Sequence, residues 1–286
     1  MNSKPLSALP WFGGKNANNV SGIGPWIISH MPDKRPGLYV EPYAGMLGVL
    51  LAMSPFRTEM VNDLNSDVVN WWLCIRDMSD DFHRMMHNTP MSREIYEAAR
   101  DRVRATDEFG LPDMQRASDW MILVWQGFMA GTAGNSRFNV NKFIHRPVVR
   151  HSDKIPVLAD RMRNVILENR DAVDVIDMVS AKEPDALLYC DPPYAKSGGD
   201  MYDVPFAESD LEQVLLTASE RGNLVMVSGY AGDFSFEKHG WCLHKMETAG
   251  RASPSTLGTT RTEHLWCSFE KQQDIQHTLW EVSNGC

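Results

Sequence analysis

Apolar positions along the chain alternate between two kinds of pattern. Short apolar runs without alternation, which suit strands covered on both faces, occur at Leu38–Val40, Val165–Asn169, Ala186–Cys190 and Leu224–Ser228. A further short strand ends at Val61-Asn62-Asp63. Between them, apolar residues recur at helical spacing. Val68, Val69, Trp72, Leu73, Ile75 and Met78 predict one long helix from Asp67 to about Asn88. Ser92–Ala105 and Pro112–Met129 predict two more amphipathic helices, and Ser209–Arg221 another, opened by Ser209 and Asp210. The stretch from Leu38 to Met53 reads as a strand, a glycine turn and an apolar helix. Near the end, Glu263 to Phe269 alternates as a last, antiparallel strand would. Two α/β blocks thus flank mainly helical material, which predicts an α/β sheet domain formed by residues 1–79 and 161–286 with a helical insertion at 80–160.

The run Ala186–Cys190 ends at Asp191-Pro192-Pro193-Tyr194. Neither proline can donate to a sheet ladder, so the strand stops there. A carboxylate, a proline carbonyl and an aromatic ring then sit just past the carboxyl end of a buried strand, the edge at which open α/β sheets bind ligands. Asp191 and the Pro192 carbonyl suit an amino group attached to a ring. Each can accept one of its N–H bonds and direct the nitrogen lone pair at an electrophile. Tyr194 can stack on a base that has left its duplex.

Composition narrows the setting. The chain has 286 residues, 43% of them hydrophobic, enough for one large domain or a domain with an insertion. No apolar run is long enough to span a membrane, and the N-terminus has no signal-peptide core. The five cysteines (Cys74, Cys190, Cys242, Cys267, Cys286) form no Cys-x-x-Cys pair, which argues against zinc and disulfide frameworks and suits a reducing cytoplasm. His83 and His87 stand at helical i,i+4 spacing but have no third ligand nearby in sequence, so they read as a solvated helix face. The net charge of −9 is unevenly spread. Residues 137–163 carry seven basic side chains and two acids, whereas 171–220 carry twelve acids and two lysines. The basic stretch is what a phosphate backbone would sense.

Other candidates follow the chain. Pro10-Trp11-Phe12-Gly13-Gly14-Lys15 places two glycines between aromatics and a cation, and Asn16 excludes a P-loop. Glu41-Pro42-Tyr43-Ala44-Gly45-Met46-Leu47-Gly48 puts two glycines where a ligand needs room. Asp63, at the tip of the following strand, is placed either to bind ribose hydroxyls or to cap the next helix. Asp171 is placed to cap a helix, and residues 195–206 read as a lid. Residues 130–151, rich in Gly and Asn and then basic, suit a DNA-reading loop: Arg137 for guanine, Asn139 for adenine, Phe138 as a wedge, and Lys142, Arg146 and Arg150 for phosphates. Arg251–Thr260 is a further candidate phosphate loop.

These motifs together resemble the DNA adenine methylase family, alpha-group adenine-N6 DNA methyltransferases of the Asp-Pro-Pro-Tyr type. The order is the family's: aromatic-x-Gly-Gly-Lys, donor motif, recognition insertion, Asp-Pro-Pro-Tyr, and the closing Arg261-Thr262-Glu263-His264-Leu265-Trp266. The resemblance implies a Rossmann-like S-adenosylmethionine-dependent methyltransferase sheet with an inserted target-recognition domain. It implies Asp191, Pro192 and Tyr194 as catalytic residues and Trp11, Gly14, Lys15, Glu41, Gly45, Gly48, Asp63 and Asp171 as donor-binding residues. Phe138-Asn139-Val140 matches part of the family's DNA-reading hairpin, which is shorter here. The expected substrates are double-stranded DNA and S-adenosylmethionine, the by-product is S-adenosylhomocysteine, and no metal is required. A monomer acting on DNA in a bacterial or virus-infected cytoplasm, as in restriction-modification, is expected. Two other readings stay open: a cytosine-N4 enzyme, which in this family usually carries Ser in place of Asp191, and a catalytically silent DNA-binding relative. Cytosine-5 chemistry needs a cysteine after a proline, and Cys190 precedes both prolines.

Overall fold

In a computed structural model, residues 6–11, 14–15, 22–127, 137–139, 151–193, 208–249 and 260–271 are described. Seven strands form one sheet in the order β3-β2-β1-β4-β5-β7-β6. They are β1 (Leu38–Glu41), β2 (Thr58–Asn62), β3 (Val165–Glu168), β4 (Ala186–Cys190), β5 (Leu224–Gly229), β6 (Cys242–Ala249) and β7 (Thr260–Cys267). β1 pairs in parallel with β2 and β4, β2 with β3, and β4 with β5. β7 runs antiparallel to both β5 and β6. The chain winds outward through β1, β2 and β3, then returns to the other side of β1 with β4. The strand order therefore reverses between β1 and β4. At such a switch point a crevice opens beyond the carboxyl ends, and here those ends are Glu41 and Cys190-Asp191.

Side-chain alternation divides the core between the two sheet faces. On one face Val40, Leu188, Cys190, Val225 and Val227 pack with helices α7 (Ala172–Lys182) and α8 (Glu208–Glu220). On the other, Tyr39, Val61, Leu187, Tyr189, Met226 and Leu265 share a larger core with α1 to α6. These helices are α1 (Ile23–Ser29), α2 (Ser66–Asp77), α3 (Ser79–His87), α4 (Arg93–Ala105), α5 (Met114–Gln126) and α6 (Ile155–Met162). Tyr96, Ala99 and Val103 of α4 and Trp120 of α5 belong to that same core. The helices between residues 80 and 160 thus share one core with the sheet, packed on α2 and on one another. Two polar anchors hold them there. Arg116 donates to both Asp67 carboxylate oxygens (2.5 and 2.8 Å) and to the carbonyls of Val103 and Thr106, joining α2, α4 and α5. Asn70 exchanges two bonds with the Asp113 backbone.

Several elements differ from the pattern read in the sequence. The long helix expected from Asp67 to Asn88 is two helices. Met78 leaves helical geometry (φ −130°, ψ 27°), and Ser79-Asp80-Asp81 provide the acidic first turn that starts α3. The apolar helix expected after the glycine turn is a single 3-10 turn, Leu50–Ala52. β3 is a sheet edge with Ile166 41% exposed, not a buried strand. β7 lies inside the sheet and β6 forms its other edge. The expected lid (195–206) and the core of the phosphate loop at 251–259 fall outside the described residues.

Arg161 of α6 enters the sheet layer instead of facing solvent. It bonds Glu59 of β2 through two nitrogens (2.5 and 2.8 Å) and the Leu50 carbonyl (3.0 Å), while Glu59 also accepts from the Phe56 amide. Glu59 is 4% exposed. Arg161→Met would strand that carboxylate, at a cost of about 3–5 kcal/mol. The double change Arg161→Met/Glu59→Gln should recover much of the loss in urea unfolding. Equal stability of the single variant and the wild type would show the pair to be dispensable.

Candidate active site

The glycine turn after β1 is held from three sides. Gly45 has φ 45°, a left-handed conformation that favours glycine. Its amide donates to Asp63 Oδ2 (2.8 Å) and its carbonyl accepts from Trp72 Nε1 (2.9 Å). A Cβ on Gly45 would lie 3.1 Å from Trp11 Nε1, so the Trp11 ring covers the turn directly. Trp11 in turn packs on Trp120 of α5, with ring centroids 5.5 Å apart. Gly14 turns the N-terminal segment beside it, its amide 3.3 Å from the Trp11 carbonyl. Gly48 lies half-buried before the 3-10 turn, beside Leu47, which has φ 53°.

Asp63 is more committed than a free ribose acceptor would be. One oxygen takes the Gly45 amide and the other the Asn65 amide (2.9 Å), and burial holds its carboxyl above the usual range. It does not cap α2; Asn65 does, accepting from Asp67 and Val68. Each Asp63 oxygen still has a second lone pair. Asp171 caps α7 through the Val173 amide (2.8 Å) and is exposed. Asn62 fixes the neighbouring loop ends, donating to the Pro42 and Arg170 carbonyls and accepting from the Arg170 amide. Burial pushes the Tyr43 hydroxyl well above its ordinary value, with Cys190, Asp171 and Asp63 adding to the effect. The Tyr43 ring therefore stands among the residues expected to hold the donor.

Beneath the carboxyl ends of β1 and β4 lies a belt of buried polar groups, all on the sheet face that carries α1 to α6. Tyr39 donates to Glu41 Oε1 (2.7 Å), and Tyr189 bonds Ser228 (2.9 Å). Burial pushes the Glu41 carboxyl up to about 8. Lys15 enters from the N-terminal segment and is 5% exposed. Its Nζ lies 2.8 and 3.0 Å from the two Asp191 oxygens and 3.2 Å from Glu263 Oε1. Burial alone would lower the lysine; the two carboxylates outweigh it and hold the ammonium above its ordinary range. Lys15 was expected among the donor-binding residues, and its ammonium is directed at the Asp191 carboxylate. Asp191 keeps a side-chain exposure of 20%, so it remains reachable from the crevice. Pro192 is buried beside it, and Tyr194 lies outside the described residues.

Residues not assigned from the sequence complete this arrangement: Tyr39, Tyr43, Asn62, Tyr189, Ser228 and Glu263. Glu263 did carry a signal, because it shares its strand phase with the apolar Leu265 and Cys267. Cys190 points to the opposite, apolar face. Burial, with Asp191 and Glu41 adding to it, pushes its thiol far up. This environment opposes formation of the thiolate that a nucleophilic cysteine needs.

The expected DNA contacts are partly placed. Arg137 is exposed. The Asn139 amide donates to the Gln126 carbonyl (2.9 Å), and a bridge pairs Gly127 with Phe138, so this strip continues from the end of α5. Phe138 packs on Tyr96 and under Arg93 of α4, not outward as a wedge. Lys142, Arg146 and Arg150 fall outside the described residues. Two other members of the basic stretch have internal roles: Arg161 is paired with Glu59, and Lys154 donates to Ser7 and to the Ala8 carbonyl.

The raised Glu41 carboxyl has a stability consequence. A group whose folded value lies above its unfolded one contributes fully below the unfolded value and loses that contribution as pH rises through the folded one. For Glu41 the window runs from 4.5 to about 8. Glu41→Gln should therefore gain stability relative to wild type between pH 5 and pH 8. Thermal unfolding of both proteins across that range checks it; parallel curves would remove Glu41 as the source.

Comparison with known proteins bears on the whole arrangement. The family model for D12 class N6 adenine-specific DNA methyltransferases matches residues 11–230, well over half of the chain. No individually curated protein sequence matches. Among solved structures, precorrin 8w decarboxylase from Methanobacterium thermoautotrophicum aligns at 14% identity over 86% of this chain and 88% of its own, with a TM-score of 0.36. A SAM dependent methyltransferase from Agrobacterium tumefaciens aligns at 10% identity over 85% of this chain and 59% of its own, with a TM-score of 0.38. Those likenesses are too distant to carry an argument. The matched family segment runs from Trp11 through the glycine turn, Asp63 and Asp191 to Tyr230, and so contains most of the site just described; the chain belongs to the D12 class N6 adenine-specific DNA methyltransferases.

Proposed function

We propose that the chain transfers the methyl group of S-adenosylmethionine to the N6 amine of an adenine rotated out of duplex DNA. The observation that carries this reading is the placement of Asp191. It stands at the switch point of the sheet beside the glycine turn, its carboxylate fixed by a buried lysine and still open to the crevice. Tyr43, Gly45, Asp63 and Asp171 are the residues that would hold the donor, with Trp11 closing the turn and Glu41 and Gly48 beside it. The donor supplies a methyl group on a sulfonium, which leaves as S-adenosylhomocysteine.

The chain's own residues act on the amine. An aromatic exocyclic amine is a weak nucleophile because its lone pair is delocalised into the ring. Asp191 and the Pro192 carbonyl accept its two N–H bonds and turn the lone pair toward the methyl carbon. As the N–C bond forms and the C–S bond breaks, with its electron pair going to sulfur, positive charge appears on N6. The Asp191 carboxylate interacts more strongly with that charge than with the neutral amine, which is the condition for lowering the barrier. The N6 proton is then lost toward Asp191 and water. Lys15 keeps both Asp191 oxygens in one orientation, and a carboxylate offers about four acceptor positions, so the lysine does not exhaust them. Tyr194 provides the platform on which the extruded base stacks.

Residues 1–79 and 161–286 carry catalysis in this reading, and 80–160 carry target recognition. Arg137 and Asn139 face base edges, while Lys142, Arg146 and Arg150 meet phosphates. The protein works as a monomer on cytoplasmic DNA.

Digesting methylated duplex to nucleosides and identifying the modified base by mass tests the reaction; a product other than N6-methyldeoxyadenosine would overturn it. In the same assay Asp191→Asn should lower turnover by about a hundredfold or more, with DNA affinity little changed. Tyr194→Ala should weaken capture of the extruded base by about 1–3 kcal/mol, read with a fluorescent base analogue at the target position. Near-full activity in Asp191→Asn would show the mechanism to be wrong.

The donor assignment has its own check. Gly45→Val combines a disfavoured φ with a collision against Trp11, and Asp63→Ala releases the Gly45 and Asn65 amides. Calorimetric titration with S-adenosylhomocysteine should show affinity lowered at least tenfold in both. Unchanged affinity in both would move the donor elsewhere.

A further inference from the structure

His83 and His87 lie one turn apart on α3, their ring centroids 5.6 Å from each other. The sequence offers them no neighbouring third ligand, but the fold does. The 3-10 turn His151–Lys154 packs beside α3 and brings Asp153 to the pair. One ligand atom from each of the three residues lies within 4.8 Å of the other two. His87 Nδ1 and Asp153 Oδ1 stand 3.7 Å apart. That is beyond hydrogen-bonding distance. It is close to the separation of about 3.4 Å between neighbouring ligands of a tetrahedral centre with bonds of about 2.0–2.1 Å.

We propose that His83, His87 and Asp153 form a binding site for a zinc-class divalent cation, outside the catalytic crevice. Two imidazoles and one carboxylate are a donor set suited to Zn2+, Co2+ or Ni2+, whereas Mg2+ and Ca2+ prefer all-oxygen shells. The half-buried His83 sets the inner edge of the site. His87 and Asp153, 45% and 62% exposed, have room to rotate and draw the three ligand atoms, now within 4.8 Å of one another, onto one cation. The neighbouring cations are directed elsewhere: Arg84 pairs with Asp81, and the Lys154 ammonium bonds Ser7 and Ala8. His87 also ends α3, where the helix dipole favours positive charge. A fourth position is left to water.

Binding would tie α3 to the turn that directly follows residues 140–150. Lys154 already joins that turn to the N-terminal segment leading to Trp11. The cation would therefore brace the point where the chain returns from the basic stretch. It would take no part in methyl transfer.

The test uses the full chain without a histidine tag, stripped by a chelator and then titrated with ZnCl2 and CoCl2. Equilibrium dialysis should show one zinc per chain at micromolar free metal, and Co2+ should give the visible absorption of a tetrahedral nitrogen–oxygen site. The melting temperature should rise with zinc. His83→Ala and His87→Ala should each abolish stoichiometric binding, Asp153→Asn should weaken it at least tenfold, and circular dichroism should show all three folded as wild type. Absence of stoichiometric binding to the wild type would overturn the proposal. So would equal binding by the folded His83→Ala/His87→Ala double variant, which would place the metal elsewhere.

Discussion

A buried ammonium is tolerated only when the charge it brings is met by others, because desolvation costs several kcal/mol for each ion. Lys15 meets this condition by drawing together three parts of the chain that are remote in sequence: its own N-terminal segment, Asp191 at the end of β4, and Glu263 in β7. Each partner constrains the others. Asp191 follows the last residue of a parallel strand, where the backbone is leaving the ladder and two prolines remove the amides that would otherwise hold it. Without an external anchor its carboxylate would be free to choose among rotamers. Lys15, contacting both oxygens, removes that freedom. Glu263 does the same for Lys15 from a strand whose hydrogen bonds on both sides fix its position. Precision at the Asp191 carboxylate is thus drawn from the sheet through a lysine.

The glycine turn uses the same logic with neutral groups. Its backbone passes through positive φ twice, at Gly45, where glycine adopts it readily, and at Leu47, where a side chain makes it costly. The turn is held because Asp63, Trp72 and Trp11 occupy the amide, the carbonyl and the open face of Gly45 together. Trp11 and Lys15 come from one short segment, so a single stretch of chain covers the glycine turn and holds the Asp191 carboxylate. This gives a physical reason for an aromatic, two glycines and a lysine to occur within a few residues. The aromatic and the lysine must reach different partners, and the segment turns between them at Gly14, whose amide lies 3.3 Å from the Trp11 carbonyl.

Much of the fold could be read in advance, because unbroken apolar runs identify parallel strands and the Asp-Pro-Pro step marks where one ends. The site was legible where chemistry is local: Asp191, Gly45 and Asp63 are each announced by their immediate neighbours. It was illegible where partners come from distant strands. Nothing around Lys15 says that its ammonium will reach Asp191, and nothing around Tyr39 or Tyr189 distinguishes a core aromatic from one whose hydroxyl supports the site. Helix ends were misjudged for a related reason. The apolar stripe continues through Met78, so periodicity alone sees one helix, while the break is set by the polar first turn at Ser79–Asp81. His83 and His87 show the same limit, since their companion Asp153 arrives only through tertiary packing.

Charge counted along a sequence is not charge presented to a ligand. The stretch 137–163 looks like one basic patch, yet Arg161 is committed to Glu59 inside the sheet layer and Lys154 to the backbone near Ser7. A guanidinium whose carboxylate partner lies 2.5 Å away projects little field at the distance of a DNA backbone, since the pair is a short dipole and not a net charge. Arg163 is likewise paired with Asp160, although at the surface, where an approaching phosphate can compete for it. The described cations of residues 151–163 are thus largely committed to partners within the chain, whereas Arg137, at the start of the stretch, is exposed. The strip at Arg137–Asn139 pairs with the end of α5, whose Trp120 packs on the Trp11 that covers the glycine turn. An acidic protein can in this way spend part of a basic run on its own architecture, so that a count along the sequence overstates the charge it presents.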